Sequence, residues 1–499
     1  MKKLLIVFLI PCLVGVHSCK PKNAKTNQLL IFKLKNDIRI PKSASKIFGL
    51  DDEYFKIVDL YPSMNQSPLK DSEINSLLSK TRGLKISFLF KCNSPIIGVV
   101  NQKAKDLKCN ITNLSNYFVI ESKQEIKKEI IDKIIFLLQQ LPFIEYAEEY
   151  YNQAESVQKS KTVQVTPKCP TNRILNLPTL ENNNVKFIDV EHGWKLSMPA
   201  EYDVQYIRGS GRRNPVFGTN STDITDITHG TGTLSVIKGR GIRNFSGLAS
   251  NADTYLVSTT NCGTPPIAAA ILNAVYFAIG DSGVLEKGNI ILLEEQYWGG
   301  MPLEYSKLFY DLIQLGICFD TIIIEPAGNG YICLDSVPSI PGTASTKPKR
   351  SLRTSDSGAL IVGATNFNPC STSTTLTKNS VTNYGSIINT YAWGDSIWAL
   401  APVTSITPTG IQNFNNTSGA SAIIAGLAVY IQSLYKSKYP TNYITPPQMK
   451  KLLYNNLAKT CEKTGRYTMP NLSHLNAELA NIYTINTGGT GRTIISICR

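Results

Sequence analysis

Short apolar runs alternate with helical stretches from about residue 180 onward, and this alternation constrains the fold more than any other feature. The runs are rich in Ile, Val and Leu and short enough to be strands buried on both faces: Val185–Val190, Thr254–Thr259, Asn289–Gln296, Asp320–Glu325 and Ala359–Ala364. Helical stretches lie at Ala268–Ile279, Leu303–Leu315, Ser418–Lys436 and after Thr445, a predicted N-cap followed by Pro446. This order predicts an α/β fold in which helices cover both faces of a mostly parallel sheet.

The N-terminus has the layout of a cleavable secretory signal over residues 1–19. Lys2 and Lys3 precede an apolar stretch that ends at Val16 and is too short to span a bilayer. Cys19 ends a segment that resembles a bacterial lipobox, so lipidation of Cys19 and simple cleavage nearby both stay open. We expect a protein that is secreted or held at the cell envelope; if Cys19 is lipidated, the lipid is its link to the membrane.

Residues 28–151 have the pattern of a small α+β unit. Strand-like runs lie at Gln28–Leu34, Leu84–Phe90 and Tyr117–Glu121, and a helix predicted over Lys123–Leu141 has Ile and Leu on one face. A further extended run covers residues 144–149. Residues 154–168 are polar and lack periodicity, which indicates a linker or processing region over 152–179 before a domain spanning 180–499.

The composition excludes several classes of protein. The net charge is +14, from 51 Lys and Arg against 37 Asp and Glu, but the basic residues are scattered without interleaved aromatics. We therefore expect no nucleic-acid partner and interpret the surplus as a solvated basic surface or a match to an anionic envelope. The 4 histidines and the absence of a CxxC pair lead us to expect no metal centre, and we expect no cofactor. Export would permit disulfides, whose pairing does not follow from the sequence.

Four short segments place chemically active residues at the ends of predicted elements. They are FIDVE with Asp189, THGTGT with His229, EPAGNG with Asn329 and NTSGAS with Ser418. Each has an ordinary explanation when taken alone, since Asp and Ser cap turns and helices and Asn-Gly forms tight turns. Parallel sheets, however, gather functional groups at the carboxyl ends of their strands. An Asp, a His, an Asn amide and a Ser at such an edge are the groups of a serine hydrolase.

The order Asp189, His229, Ser418 is the order of the triad in subtilisin. From residue 180 to about 460, the segments HGTG, AGNG and TSGAS together resemble the subtilases, the subtilisin-like serine peptidases. GLASNA at 247–252 is similar to the family's Gly-x-Ala-Pro-x-Ala stretch, and SVTNYG at 380–385 is similar to its Ser-Asn-x-Gly turn. The resemblance implies the subtilisin-like three-layer fold and an exported serine endopeptidase that acts on proteins or peptides.

The resemblance also implies a role for each residue. Ser418 would be the nucleophile, His229 the general base and then the acid, and Asp189 the carboxylate that orients His229. Asn329 would bind the oxyanion together with the backbone N–H of Ser418.

The family's primary substrate pocket would lie between two segments of this chain. Its predicted residues are Gly299, Gly300, Ala327 and Gly328. Tyr297 and Trp298 would either shape this pocket or belong to the core, and the sequence leaves both interpretations open.

Three departures from the family pattern bear on these roles. Asn416 replaces the usual Gly before Thr-Ser, Val190-Glu191 replaces the usual Ser or Thr and Gly after the Asp, and Gly232 replaces a second His. A crowded turn at Asn416 would leave an inactive pseudoprotease that binds through the same fold, which is the alternative function. An α/β-hydrolase esterase is disfavoured, because no Gly-x-Ser-x-Gly surrounds Ser418 and the His precedes the Ser.

Two segments of the N-terminal unit resemble the inhibitory propeptide of subtilases. They are LSNYFVI at 114–120 and FIEYAE at 143–148. The resemblance implies a zymogen that is cleaved between about residue 150 and residue 180, with its own N-terminal unit as an intramolecular inhibitor.

Overall fold

The computed structural model describes residues 29–35, 85–90, 94–111, 113–121, 126–140, 144–150, 185–196, 216–239, 247–260, 266–280, 284–336, 356–366, 377–402, 410–454 and 470. The predicted signal with Cys19 and the predicted linker at 152–179 lie outside these residues. The helices are α1 Ser94–Asp106, α2 Lys128–Gln140, α3 Ile224–Lys238, α4 Pro266–Ile279, α5 Lys307–Cys318, α6 Asn416–Lys438 and α7 Pro446–Leu453.

The strands form three sheets. In chain order they are β1 Leu29–Leu34, β2 Lys85–Phe88, β3 Tyr117–Glu121, β4 Ile144–Tyr150, β5 Lys186–Glu191, β6 Val216–Phe217, β7 Asp253–Ser258, β8 Ile290–Leu293, β9 Ile322–Pro326, β10 Leu360–Thr365, β11 Thr390–Trp393, β12 Ile397–Leu400 and β13 Ile411–Phe414. The last two form a separate antiparallel pair.

The central sheet has seven strands in the order β11-β10-β9-β8-β5-β7-β6. Every pairing in it is parallel. The order reverses at β5, which pairs with β7 on one side and β8 on the other. In open α/β sheets such a reversal leaves a crevice at the carboxyl ends of the strands, where ligands bind. The sheet therefore places its reactive edge at the end of β5.

Helices cover both faces of this sheet, as predicted from the alternation. Helices α3, α6 and α7 pack in one apolar cluster with Phe187, Leu292 and Ile324. Helices α4 and α5 pack in the other cluster with Ile188 and Ile323. Successive strand residues point to opposite faces, so neighbours in one strand belong to different clusters. The three-layer α/β fold expected from the sequence is confirmed.

Helix α6 runs through the middle of the molecule. It is the one described helix with the length and apolarity to cross a membrane, but 94% of its apolar window is buried inside the protein. Small residues along it, among them Ala420 and Ala425, are fully buried and allow close packing on the sheet. Its apolar character is therefore explained by its place in the core.

The N-terminal unit is a four-stranded antiparallel sheet in the order β2-β3-β1-β4. One face packs against the predicted apolar stripe of α2, where Ile131, Ile134, Ile135 and Leu138 are buried. The opposite face contributes Ile31, Val119 and Tyr150 to the cluster that contains α4 and α5. The small sheet is therefore packed directly on the helical layer of the large domain.

Polar contacts and a disulfide hold the N-terminal unit on α5. The Glu148 carboxylate accepts hydrogen bonds from the backbone N–H of Lys307 and Leu308, both at 3.1 Å, and so caps the N-terminus of the helix. At the other end of α5, Cys318 forms a disulfide with Cys109. The helix is thus joined to the N-terminal unit at both ends.

Several element boundaries differ from the sequence prediction. The helix expected to begin at Leu303 begins at Lys307, after a short 3-10 turn, where Glu148 supplies the cap. Helix α1 and strands β11 to β13 were not predicted. Thr445 and Pro446 begin α7 as expected, with Gln448 completing a capping box.

Candidate active site

Asp189 and Glu191 lie on the same face of β5, because side chains alternate along a strand. The rise is about 3.3 Å per residue, so Glu191 lies roughly 6–7 Å nearer the carboxyl edge than Asp189. The Glu191 carboxylate accepts a hydrogen bond from the backbone N–H of His192 at 2.7 Å through Oε1. Its Oε2 lies 2.5 Å from Nδ1 of His229.

The placement of Asp189 corrects the sequence prediction that this residue contacts His229. Asp189 is fully buried, and its Oδ2 accepts a hydrogen bond from Nε1 of Trp194 at 2.9 Å. Its Oδ1 has no hydrogen-bond partner among the described residues. The carboxylate that contacts the imidazole belongs to Glu191. Asp189 lies two residues earlier in β5 and is therefore too deep in the sheet to reach the ring.

A visible signal in the sequence could have identified Glu191. The family pattern has a Gly two residues after the acid. Gly193 follows Glu191 at that spacing, whereas the residue two positions after Asp189 is Glu191 and not a Gly. A Glu has one more methylene than an Asp, so its longer side chain needs room beside the helix. Gly230 provides that room: a Cβ there would lie 2.5 Å from Cγ of Glu191 and 2.2 Å from the carbonyl oxygen of Gly193.

Helix α3 carries His229 in its second turn, five residues after its first residue rather than at the helix start. Asp223 caps the helix by accepting a hydrogen bond from the N–H of Thr225 at 2.7 Å. The imidazole packs edge-on against Phe414, with ring centroids 5.2 Å apart. Nε2 of His229 lies 3.0 Å from Oγ of Ser418. The structure therefore brings His229 and Ser418 together, as the sequence predicted.

Gly232 stands where the family has a second His, and its surroundings explain the departure. A Cβ at Gly232 would lie 2.7 Å from Nε2 of Gln412 and 2.8 Å from Cδ2 of Phe414. Phe414, which packs against His229, thus occupies the space that a side chain at position 232 would need.

Ser418 lies in the first turn of α6, just after a tight entry from β13. Asn416 has φ +65°, in the left-handed region that favours Gly. Asn is among the residues that adopt this region most readily, so it replaces the family's Gly without closing the turn. The N–H groups of the first helical turn have no partner within the helix, and the positive end of its dipole favours an anion beside Ser418.

Asn329 lies across from this turn. Its Oδ1 accepts hydrogen bonds from Oγ1 of Thr417 at 2.8 Å and from the backbone N–H of Thr417 at 3.2 Å. This fixes the amide, and its Nδ2 is a buried donor with no partner among the described residues. A buried unsatisfied N–H group costs free energy, so its retention is typical of a site that receives an acceptor from a ligand.

The four predicted pocket residues lie in two segments that touch. A Cβ on Gly328 would lie 2.0 Å from the carbonyl oxygen of Gly300, and both glycines have positive φ. Asn383 holds the segments together, because its Nδ2 donates to the carbonyl oxygens of Gly300 at 2.6 Å and Ala327 at 2.7 Å. Asn383 belongs to the SVTNYG segment, but its role in the pocket was not predicted.

The two aromatic residues beside the pocket differ in burial. Tyr297 is 5% exposed and belongs to the core, whereas Trp298 is 41% exposed. The hydroxyl of Tyr297 donates to the backbone carbonyl of Glu149 at 3.2 Å, near the end of β4. The pocket segment is therefore in contact with the N-terminal unit.

The environments of the two β5 acids push their pKa values apart. Burial raises the pKa of Glu191, but the charge of His229 and the hydrogen bonds from His192 and His229 lower it to about 2. For Asp189, burial and the charge of Glu191 raise the pKa to about 8, against the hydrogen bond from Trp194. At neutral pH Glu191 is therefore ionised and Asp189 is protonated.

The charge of Glu191 also acts on His229. Burial lowers the pKa of His229, but the charge and hydrogen bond of Glu191 outweigh burial and raise it to about 9. An ionised Glu191 thus stabilises the imidazolium, as the carboxylate of a serine-hydrolase triad does.

Two groups of side chains bring three metal-ligating atoms within 4.8 Å: Glu191, His229 and Glu294, and Glu191, His192 and Glu295. In each group Nδ1 of the His already contacts a carboxylate, at 2.5 Å for His229 with Glu191 and at 2.6 Å for His192 with Glu295. A cation would have to displace these contacts. The arrangement therefore favours acid–base pairs over metal coordination.

A family model, that of the subtilase family, matches residues 208–475, more than half of the chain. The chain belongs to the subtilase family. The match covers His229, Asn329 and Ser418 but begins after β5, the strand that carries Asp189 and Glu191. No curated protein sequence matches this subtilase.

Solved structures similar to this subtilase include three proteases. Fervidolysin from Fervidobacterium pennivorans, a keratinolytic enzyme related to subtilisin, is 13% identical with a TM-score of 0.48, and the match covers 91% of this chain and 62% of the fervidolysin chain. A mutant of the protease domain of PatA is 17% identical with a TM-score of 0.42, over 62% of this chain and 98% of that domain. A psychrophilic protease is 16% identical with a TM-score of 0.42, over 62% of this chain and 100% of its own.

Proposed function

We propose that this subtilase is a serine endopeptidase that hydrolyses peptide bonds through an acyl-enzyme, with Ser418, His229 and Glu191 as its triad. The observation that carries this proposal is the position of one imidazole ring. His229 has Oγ of Ser418 3.0 Å from Nε2 and Oε2 of Glu191 2.5 Å from Nδ1. Both distances are within hydrogen-bond reach, the geometry that a nucleophile, a base and an orienting carboxylate need.

The proton path follows from these contacts. The acting form of His229 is the neutral ring, whose fraction increases as the pH rises towards its pKa of about 9. In this form Nδ1–H donates to Glu191, which leaves Nε2 free to accept the proton of Ser418 as its oxygen attacks the scissile carbonyl. The imidazolium, stabilised by Glu191, then protonates the leaving amine. Water enters, and the same two steps hydrolyse the acyl-enzyme.

The tetrahedral oxyanion would be bound by Nδ2 of Asn329 and the backbone N–H of Ser418. The first is a buried donor without a partner among the described residues, and the second lies at the N-terminus of α6. Preorganised donors of this kind contribute about 10²–10³ in kcat. The substrate backbone would lie between the segments of Gly299–Gly300 and Ala327–Gly328, as an added strand.

We also propose that the protein is exported as a zymogen, with the N-terminal unit as its propeptide and Cys19 or a nearby residue as the start of the exported chain. The contact between Tyr297 and Glu149 supports this arrangement, because the chain leaves β4 beside the segment that would line the substrate pocket. A cut between about residue 150 and residue 180 would give the chain that follows β4 a free end beside the proposed pocket.

A fluorophosphonate probe and a quenched peptide library test the function. We expect covalent labelling and peptide cleavage by the wild type, and neither by Ser418→Ala. Ser433→Ala, near the far end of the same helix, is the matched control and should behave as the wild type. No labelling of the processed wild type would overturn the proposal and favour a binding protein with the subtilase fold. N-terminal sequencing of the exported form tests the signal and the zymogen.

A further inference from the structure

Glu294 is a buried carboxyl group beside the triad that the proposed mechanism does not use. It directly follows β8 and is 2% exposed. Its backbone N–H donates to the carbonyl oxygen of Val190 at 3.0 Å, which fixes it beside Glu191. Its Oε1 is hydrogen bonded to Oγ of Ser421, and its Oε2 is buried without a partner among the described residues.

The number of protons at Ser421 decides which group donates in this bond. The Ser421 hydroxyl has one proton, yet three oxygens surround it: Oε1 of Glu294 and the backbone carbonyls of Thr417 at 2.9 Å and Ser418 at 3.0 Å. A carbonyl oxygen only accepts. When Ser421 donates to a carbonyl of the preceding turn, as Ser in a helix commonly does, its bond to Glu294 needs a proton from the carboxyl group.

Burial of Glu294 favours its protonated form over the opposing charge of His229. Asp189 and Glu191 face it from β5, His229 faces it from α3, and Ser421 faces it from α6. Burial holds the pKa of Glu294 well above its usual value. The positive charge of His229 lowers it, a hydrogen bond donated by Ser421 would lower it as well, and the negative charge of Glu191 raises it. The next residue in the chain, Glu295, is engaged with His192.

We propose that Glu294 is a positioning residue that stays protonated and donates a hydrogen bond to Ser421, thereby holding the first turn of α6 against the end of β8. Ser421 lies one helical turn after Ser418. The bond between Glu294 and Ser421 therefore fixes the position of the Ser418 hydroxyl along the axis of α6, relative to His229. A neutral Glu294 also leaves Glu191 as the ionised carboxylate beside the imidazole. This role presupposes the peptidase activity proposed above.

Ionisation of Glu294 would affect the site in two ways. A carboxylate has no proton to donate, so the clamp on Ser421 would be lost. A second negative charge near His229 would raise its pKa above about 9, so the neutral ring that accepts the proton of Ser418 would form only at still higher pH. The activity should therefore rise as His229 loses its proton and decrease again at higher pH, where Glu294 loses its proton.

Two substitutions of Glu294 distinguish the effect of losing its hydrogen-bond donor from the effect of losing its side-chain volume. Glu294→Gln keeps a neutral group that donates through its amide, whereas Glu294→Leu keeps the bulk without a donor. We expect kcat of Glu294→Gln within about fivefold of the wild type at neutral pH, and a kcat about 10²-fold lower for Glu294→Leu, because the nucleophile is misplaced. KM should change little in both. The alkaline decrease in kcat of the wild type should be absent in Glu294→Gln.

Infrared difference spectroscopy provides a readout that does not need activity. The wild type should show a protonated-carboxyl band that Glu294→Gln lacks, with Asp189→Asn as the control for another buried acid whose pKa is raised. Loss of activity in Glu294→Gln equal to that in Glu294→Leu, an unchanged alkaline decrease, or an unchanged carboxyl band would each overturn the inference. Failure of the proposed function looks different, because the wild type itself would not react with the fluorophosphonate.

Discussion

Asp189 and Glu191 show how one strand repeat decides which carboxylate can act on His229. Both side chains face the same layer, but Glu191 is at the end of β5 and contacts Nδ1 of His229. Asp189 is bound to Trp194 inside the sheet and is protonated at neutral pH. The proposed triad therefore has a Glu in place of the usual Asp, at the position where the strand meets the crevice.

Amide substitutions at the two acids should have opposite results. Glu191→Gln removes the charge that stabilises the imidazolium and presents an amide to Nδ1, which favours the wrong tautomer, so we expect kcat to fall by about 10⁴. Asp189→Asn keeps the acceptor for Trp194 and should leave kcat within about fivefold of the wild type. Steady-state kinetics on one peptide substrate, with both variants side by side, measures this. A large loss in Asp189→Asn and a small one in Glu191→Gln would restore Asp189 as the triad acid.

Asp189 should also make the stability of the protein depend on pH. Its pKa rises from 3.8 in the unfolded chain to about 8 in the folded protein. The folded state therefore holds a proton that the unfolded state releases between these values. The contribution of Asp189 is fully present below about pH 4 and is lost as the pH rises to about 8, by a few kcal/mol.

Asp189→Asn tests this dependence because an amide does not titrate. The free energy of unfolding, measured by urea titration from pH 4 to pH 8, should decrease less steeply with pH in the variant than in the wild type. Equal slopes in both proteins would show that the pKa of Asp189 is the same in the folded and unfolded chains.

At the scale of the element, the turn between β13 and α6 depends on the backbone conformation of Asn416. Its φ of +65° suits Gly best and Asn next. We expect Asn416→Gly to change the free energy of unfolding by less than about 1 kcal/mol and to keep activity. Asn416→Val should destabilise the protein by about 1–3 kcal/mol and lower kcat, because a β-branched residue strains the turn that presents Ser418.

Thermal unfolding and fluorophosphonate labelling of the two variants measure stability and nucleophile geometry separately. Asn413→Val, on the neighbouring strand, is the control for a β-branched substitution without the positive φ. If Asn416→Val is as stable as the wild type, the explanation based on the positive φ of Asn416 is wrong.

The elements that were predicted correctly are those whose own residues carry the apolar pattern that determines their burial. Apolar runs such as Ile322–Ile324 and the stripe on α2 determine their own burial, so the parallel sheet and the helices could be read from spacing. His229 and Ser418 lie on motifs with a strong local signature, and the structure places them 3.0 Å apart.

Other features depend on contacts between distant parts of the chain, which the spacing of residues does not encode. The start of α5 is determined by Glu148, which lies more than 150 residues earlier. The choice of Glu191 over Asp189 depends on where β5 ends and on the room left by Gly230. The short strands β11 to β13 have few residues and no strict alternation, so their pairing could not be predicted.

At the scale of the whole molecule, the N-terminal unit and the large domain share one apolar cluster and a covalent link. Tyr117 donates a hydrogen bond to Asp311 on α5 at 3.0 Å, Tyr150 packs against Phe309, and Cys109 is bonded to Cys318. The two cysteines lie on opposite sides of residues 151–184, where the proposed processing would occur. A single cut in that segment therefore cannot separate the two parts of the protein.

The disulfide should keep the cleaved N-terminal unit at high local concentration beside the pocket. A tether of this kind gives effective concentrations of about 1 mM, so a unit with micromolar affinity stays bound after cleavage. On a denaturing gel, we expect the processed wild type to run as one species without reductant and as two species with reductant. Processed Cys109→Ser should run as two species in both cases and should be more active at nanomolar enzyme, because its N-terminal unit dissociates on dilution.

The paired substitution at the other end of the bond controls for local damage. Cys318→Ser should match Cys109→Ser, and the double variant should be no worse than either, because all three remove the same bond. Each should also lower the free energy of unfolding of the uncleaved chain by about 2–5 kcal/mol. If processed wild type and processed Cys109→Ser have equal activity at every dilution, the N-terminal unit is a permanent structural part of the protein. Its packing against α5 would then serve the fold of the large domain, and activity would depend on the cut alone.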